Sequence, residues 1–267
     1  DIFLFDNNSN AISRVSIHSN GTQSNNISQS PTISSDGLYI TFHSYASNLV
    51  PNDTNGKIDV FFRDVQAGTT ERISLGLNGS EGNDSSQSPS ISNTGRYIAF
   101  SSRASNLVAG DIGGASDIFV YDFQTGLTER VSVTSDGSES DSGSFSPFIS
   151  EDGRYVTFHS LASNLVVDDT NGKADVFVHD RQTDQTSRAS INSIGSEGNG
   201  SSGYASISSD GRYVAFESVA TNLVENDTNN TDDVFLHDRS EAPNDPEPED
   251  GGGGGGGGGC FISSMFK

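Results

Sequence analysis

Apolar residues in this chain come in short runs, each bounded by polar turn residues. The runs are rich in Val, Ile, Phe, Tyr and Thr and are about five residues long, the pattern of β-strands. Nowhere do apolar residues recur at i, i+3, i+4 and i+7 over ten residues, so no long helix is predicted. The runs also repeat at a fixed step. D-I-F-L-F-D starts at Asp1, and its counterparts start at Asp59, Asp117, Asp175 and Asp233, each 58 residues after the last. Arg14, Arg72, Arg130 and Arg188 keep the same step, as do Gly37, Gly95, Gly153 and Gly211, and Asn48, Asn106, Asn164 and Asn222. A period held without insertion or deletion marks a repeat architecture.

Four strands are expected in each unit. In the third occurrence they are Ser146–Ser150, Arg154–His159, Asp175–Asp180 and Thr186–Ile191. Glu151-Asp152-Gly153 joins the first two, and Asp-Gly or Thr-Gly supplies the positive φ of a tight hairpin. The other hairpin turns at Ser9-Asn10, Ala67-Gly68, Thr125-Gly126 and Thr183-Asp184. Two successive hairpins make a four-stranded antiparallel meander. Val176-Phe177-Val178 places apolar side chains on both faces of such a sheet, which only stacking of copies buries. The expected fold class is therefore all-β, a β-propeller of four-stranded antiparallel blades. The units are 1–58, 59–116, 117–174 and 175–232, with a partial one at 233–239.

The string S-x-D-G-R-Y-[VI]-[AT]-F, seen without its first position as Ser209 to Phe216 and nearly matched at Asn93 to Phe100 and Glu151 to Phe158, precedes D-[VI]-F-V-x-D. In these residues the chain resembles the TolB-like, WD-type propeller repeats of bacterial envelope and secreted proteins. The likeness covers about residues 1 to 239. It implies a propeller, and a place among envelope accessory proteins, peptidase propeller domains or surface proteins. The peptidase role is not carried over, because no hydrolase motif accompanies the repeat. Counting strands gives a two-strand start, three full blades and a three-strand end. That suggests a piece of a larger propeller, the favoured reading, or a ring closed by a clasp of Ser206–Phe216 with Asp1–Ile17.

In such a blade the connection from second to third strand and the connection into the next blade emerge on one face. Both are polar and acidic here. The first kind contains D-x-N-G-x-x-D: Asp53, Asn55 and Asp59; Asp169, Asn171 and Asp175; and, less completely, Asp227, Asn229 and Asp233. At Asp111 the Asn is replaced by Gly113. Two carboxylates and an amide oxygen in one turn suit Ca²⁺, which takes six to eight oxygens in flexible loops. The other reading is plain Asx-turns that launch the next strand. The loop lacks the Glu at position twelve of an EF-hand. The second kind of connection, such as Gly79 to Ser86, Gly137 to Ser144 and Gly195 to Ser202, is rich in Ser, Gly and Asn. It reads either as an adaptable recognition surface or as a solvated linker.

Arg72, Arg130 and Arg188, with the strand-end Asp64, Asp122 and Asp180, raise the idea of a substrate carboxylate clamp. Pairing of each Arg with acidic groups of its own or the next blade is the favoured alternative. The Asn48 series reads as a buried turn amide satisfying backbone groups. His43 and His159 occupy one repeat position and His179 and His237 another, so no two are placed together as metal ligands. No GxSxG, HExxH or Cys–His pair is present, and no catalytic residue is assigned.

Charge narrows the partners. With 14 Lys+Arg against 36 Asp+Glu the net charge is −22, which repels phosphate backbones and argues against nucleic acid. No run of about 18 apolar residues exists to span a bilayer. From Ser240 the repeat stops: residues 240–267 read as a disordered Pro/acidic linker, nine glycines and a tail resembling bacterial sorting tails, with Cys260 as a possible lipidation or processing point. The expectation is a non-catalytic extracellular, cell-surface or periplasmic propeller that binds an envelope or extracellular protein or a glycan, with Ca²⁺ as a possible cofactor. The alternatives are a hydrolase propeller and a structural spacer.

Overall fold

The computed structural model describes residues 1–229 and 231–240; the tail with Cys260 lies outside them. Among the described residues seventeen strands are formed, joined by turns and one short 3₁₀ segment at Leu77–Gly79. A two-stranded sheet comes first, β1 (Phe3–Asp6) and β2 (Ala11–Arg14). The first complete sheet is β3 (Ser28–Ile33), β4 (Tyr39–Ser44), β5 (Asp59–Asp64) and β6 (Thr69–Arg72). The second is β7 (Ser86–Ile91), β8 (Tyr97–Ser102), β9 (Asp117–Asp122) and β10 (Leu127–Arg130). The third is β11 (Ser144–Ile149), β12 (Tyr155–Ser160), β13 (Asp175–Asp180) and β14 (Gln185–Arg188). The last has β15 (Ser202–Ile207), β16 (Tyr213–Ser218) and β17 (Asp233–Asp238). Each is an antiparallel meander in chain order, as expected.

The first strand of each blade starts about two residues earlier than its apolar run suggests. A register shift between Phe145 and Phe148, repeated at Gln29/Thr32, Gln87/Ser90 and Gly203/Ser206, is the reason. This β-bulge puts Ser30, Ser88, Ser146 and Tyr204 at φ of 48–53°, which breaks the alternation of sides that strand prediction relies on. The fourth strand ends at Arg188, short of Ile191, because the chain turns there into the connector.

The sheets stack face to face. Val176 and Val178 of β13 pack forward against Val214 and Phe216 of the next blade. Phe177, between them in sequence, packs backward against Ile118 and Val120 of the previous one. The same alternation gives the other two clusters, Val60 and Phe62 with Phe100, and Ile2 and Val15 with Phe42. The four clusters are thus the four interfaces between sheets, and most of the core lies between blades. The stack is open. β16 takes β17 as its outer neighbour and β1 pairs only with β2, so the clasp is not formed.

Glycine is needed at the first hairpin for two reasons. Gly153 has φ of +79°, and a Cβ on it would lie 2.1 Å from the Tyr97 ring of the preceding blade. Gly37 has φ of +73° but open space around it. Gly153→Ala is expected to lower stability by about 2 kcal/mol or more, and Gly37→Ala by about 1–2 kcal/mol from backbone strain alone. Thermal melts of the two variants compare these costs, and equal losses would remove the Tyr–Gly contact from the account.

Candidate recognition face

Both long connections emerge on one side of the stack and touch. The Thr54 N–H and hydroxyl, in the β4–β5 loop, donate to the two carboxylate oxygens of Glu81 in the β6–β7 connector, at 2.9 and 2.6 Å. Thr170 does the same to Glu197. From the other side, Asn106 Nδ2 donates to the Glu81 carbonyl at 2.8 Å, and Asn106 Oδ1 accepts from the Asn83 N–H at 3.0 Å. Asn48, Asn164 and Asn222 clamp their connectors alike. The amides of this series satisfy backbone groups as expected. They are half-buried to exposed rather than buried, because the connector they hold runs over the surface.

Beneath each clamp lies a charged cluster. Arg72 Nη1 is 3.3 Å from Asp53, 3.2 Å from Asp59 and 2.9 Å from Glu81. Arg188 Nη1 is 3.8, 3.5 and 2.7 Å from Asp169, Asp175 and Glu197. Arg130 is held more loosely by Asp111, Asp117 and Glu139, at 3.6, 3.9 and 3.2 Å. Each arginine therefore pairs within its own blade and connector. Asp122 and Asp180 sit at the opposite end of their strands, paired with Arg96 and Arg154. The strand ends separate the two sets, so no Arg–Asp substrate clamp forms between them.

The cluster differs from the ligand set suggested by D-x-N-G-x-x-D. The Asn55 and Asn171 carbonyl oxygens accept the Lys57 and Lys173 N–H groups, and their amide nitrogens donate to Asp59 and Asp175. Asn229 is turned the same way, to Thr231 and Asp233. An Asx-turn thus occupies one of the two acceptor positions of the amide oxygen. The third carboxylate comes instead from Glu81, Glu139 or Glu197, which lie outside the D-x-N-G-x-x-D spacing. Their 58-residue recurrence is the signal that would have found them. Oxygens of Asp111, Asp117 and Glu139, and of Asp169, Asp175 and Glu197, lie within 4.8 Å of one another. Asp227 and Asp233 join no such group among the described residues.

The carboxylates respond differently to this crowding. Burial, with the neighbouring Asp59 and Glu81 charges, pushes Asp53 up to about 6 despite Arg72; Asp111 is raised to about 6 in the same way. Hydrogen bonds from Thr54 and Arg72 pull Glu81 down to about 2. On the opposite face Asp122 and Asp180 fall to about 2 beside Arg96 and Arg154. The two directions act oppositely on stability. Depressed groups lose stability as pH falls from about 4 to 2. Raised ones lose it as pH rises from about 4 to 6, because the folded state must give up a proton it holds more tightly than the unfolded chain. Melting temperature is expected to peak near pH 4, and Asp53→Asn is expected to flatten the decline between pH 4 and 7. An unchanged slope in that variant would contradict the assignment.

Burial pushes His43, His159, His179 and His237 down, and among the described residues none joins a metal-like cluster. No helix among the described residues is long and apolar enough to cross a membrane.

No protein-family model and no curated protein sequence matches this chain. Solved structures do. TolB from Acinetobacter baumannii superposes on 88% of the chain with a TM-score of 0.51 at 19% identity. The fold is a TolB-like β-propeller. The chain spans 45% of that TolB. A prolyl endopeptidase aligns over 81% of the chain (TM-score 0.50, 15% identity, 28% of the peptidase), and a puromycin-hydrolysing peptidase of Mycobacterium tuberculosis over 85% (0.50, 13%, 28%). At these identities the likeness is one of fold. The open stack of TolB-like blades is consistent with part of a larger propeller.

Proposed function

We propose that this propeller is a non-catalytic binding module of the cell surface, periplasm or extracellular space, and that its loop face recognises an extracellular protein or glycan. One observation carries the reading: the stacked blades bring both kinds of acidic connection to a single face and hold them there with repeated side-chain clamps. Binding residues concentrate on loops fixed by a rigid scaffold. The clusters beneath the loops each set three carboxylates against one guanidinium, which leaves the face electronegative. The TolB-like fold agrees with a role in protein association, and an electronegative surface steers basic partners toward it.

Ca²⁺ enters this reading at Asp111/Asp117/Glu139 and Asp169/Asp175/Glu197, which supply oxygen donors of the right kind. The arginine already lies among those oxygens, so an ion would have to displace it, and affinity no tighter than about 10⁻⁴–10⁻³ M is expected. Millimolar Ca²⁺ should raise the melting temperature; identical curves with and without chelator count against the ion.

A screen of envelope proteins and glycans tests the binding role. Glu225→Lys, in the β16–β17 loop on the loop face, is expected to weaken binding, and Glu151→Lys, on the hairpin face, to leave it intact. The reverse pattern would overturn the reading.

A further inference from the structure

Departures from a repeat mark positions where stacking alone does not dictate the residue. The innermost strands begin Ser-Gln-Ser-Pro at Ser28 and at Ser86, but Ser-Phe-Ser-Pro at Ser144 and Ser-Gly-Tyr-Ala at Ser202. Both changes fall at the loop-face end of neighbouring strands, and both introduce an aromatic ring. The rings meet across the blade boundary through His159, which lies 5.7 Å from Phe145 and 5.9 Å from Tyr204 between ring centroids.

The surroundings of this trio are not those of a core contact. Tyr204 is 71% exposed and has φ of +48°, a left-handed conformation that a bulky side chain rarely adopts, where three other blades place Ser. His43, in the equivalent place to His159, has its Nδ1 satisfied by the Ser88 N–H at 3.3 Å; His159 Nδ1 is buried and has no partner. Gly203 replaces Gln and lies against the imidazole; a Cβ there would sit in ordinary contact, 3.5 Å from Nδ1. Burial pushes that imidazole's pKa down. Leu161, 54% exposed, extends the apolar surface beside the notch. A recess of about 320 Å³, with Asp84 and Arg103 on its wall, opens on the other side of Phe145.

We propose that the Phe145–His159–Tyr204 notch docks an arginine or lysine side chain from an extended segment of a partner protein. The proposal rests on the loop-face reading above and gives its partner a chemistry. An aromatic surface in a chain of net charge −22 favours a cation over the rings. The methylene stem of such a side chain packs on apolar surface of the kind Leu161 offers. A glycan would leave the charge complementarity unused.

The test uses the full chain and three fluorescent probes: an octapeptide of alternating Arg and Gly, its Glu counterpart, and a neutral glucose hexasaccharide. Phe145→Gln and Tyr204→Ser restore residues that other blades carry, so both variants are expected to fold, and melting curves verify this. The Arg peptide is expected to bind the wild type and the Glu peptide not. Tyr204→Ser should weaken the Arg peptide by about fivefold to thirtyfold, and Phe145→Gln by a smaller factor. Binding unaffected by both variants but weakened in Glu225→Lys would overturn the notch and leave the loop face standing. Hexasaccharide binding lost in Tyr204→Ser, without peptide binding, would make the ligand a glycan and overturn the proposal. Binding of no probe would overturn the notch, while the wider screen still decides the loop face.

Discussion

Phe177→Ala is expected to destabilise the propeller by about 3–5 kcal/mol, while Phe3→Ala, at the same position of the repeat, costs close to nothing. The difference is one of place. Phe177 is fully buried between two blades, against Phe158 at 5.9 Å, and its removal leaves a cavity that close-packed neighbours fill only in part. Phe3 is 56% exposed on the outer side of the first sheet. At this size, each kcal/mol moves the melting temperature by about 2–4 °C, so the first variant should melt about 6–20 °C lower. Equal losses would mean that the stability does not reside between the blades.

The other large effect is electrostatic. Arg188→Met removes the one cation among Asp169, Asp175 and Glu197 and strands three carboxylates, two of them almost wholly buried in their side chains. Breaking a buried pair from one side costs about 3–5 kcal/mol, because an uncompensated charge remains. Part of the loss should be recovered by adding Asp175→Asn, and part by lowering the pH toward 4, where the stranded carboxylates take up protons. A variant as stable as wild type at pH 7 would show that these clusters carry no structural charge balance.

Much of this fold is legible in the sequence because its determinants are local. Asp-Gly turns, five-residue apolar runs and the 58-residue step fix how many strands each blade has, how they pair and which faces are greasy. The alternation Val176-Phe177-Val178 announces two buried faces without any coordinates. The bulges escape this reading, since Ser146 at positive φ has no glycine to announce it and Pro147 blurs the alternation. The candidate site is less legible for a related reason. Its charges are spread over a separation of 28 residues, from Asp53 through Arg72 to Glu81, so no short motif contains them. The D-x-N-G-x-x-D spacing states which atoms are near one another but not which way an amide turns, and Asn55 turns its oxygen toward the backbone. The Phe145 and Tyr204 substitutions are visible as breaks in the repeat. Their meeting at His159 requires the blades to be stacked.

Amide hydrogen exchange on the full chain, with and without a saturating bound partner, asks which end of the blades does the recognising. Added protection is expected in the connectors around Glu81, Glu139 and Glu197 and at the start of β11 and β15. Protection gathered at the turns of Gly95, Gly153 and Gly211, with the connectors unchanged, would contradict it.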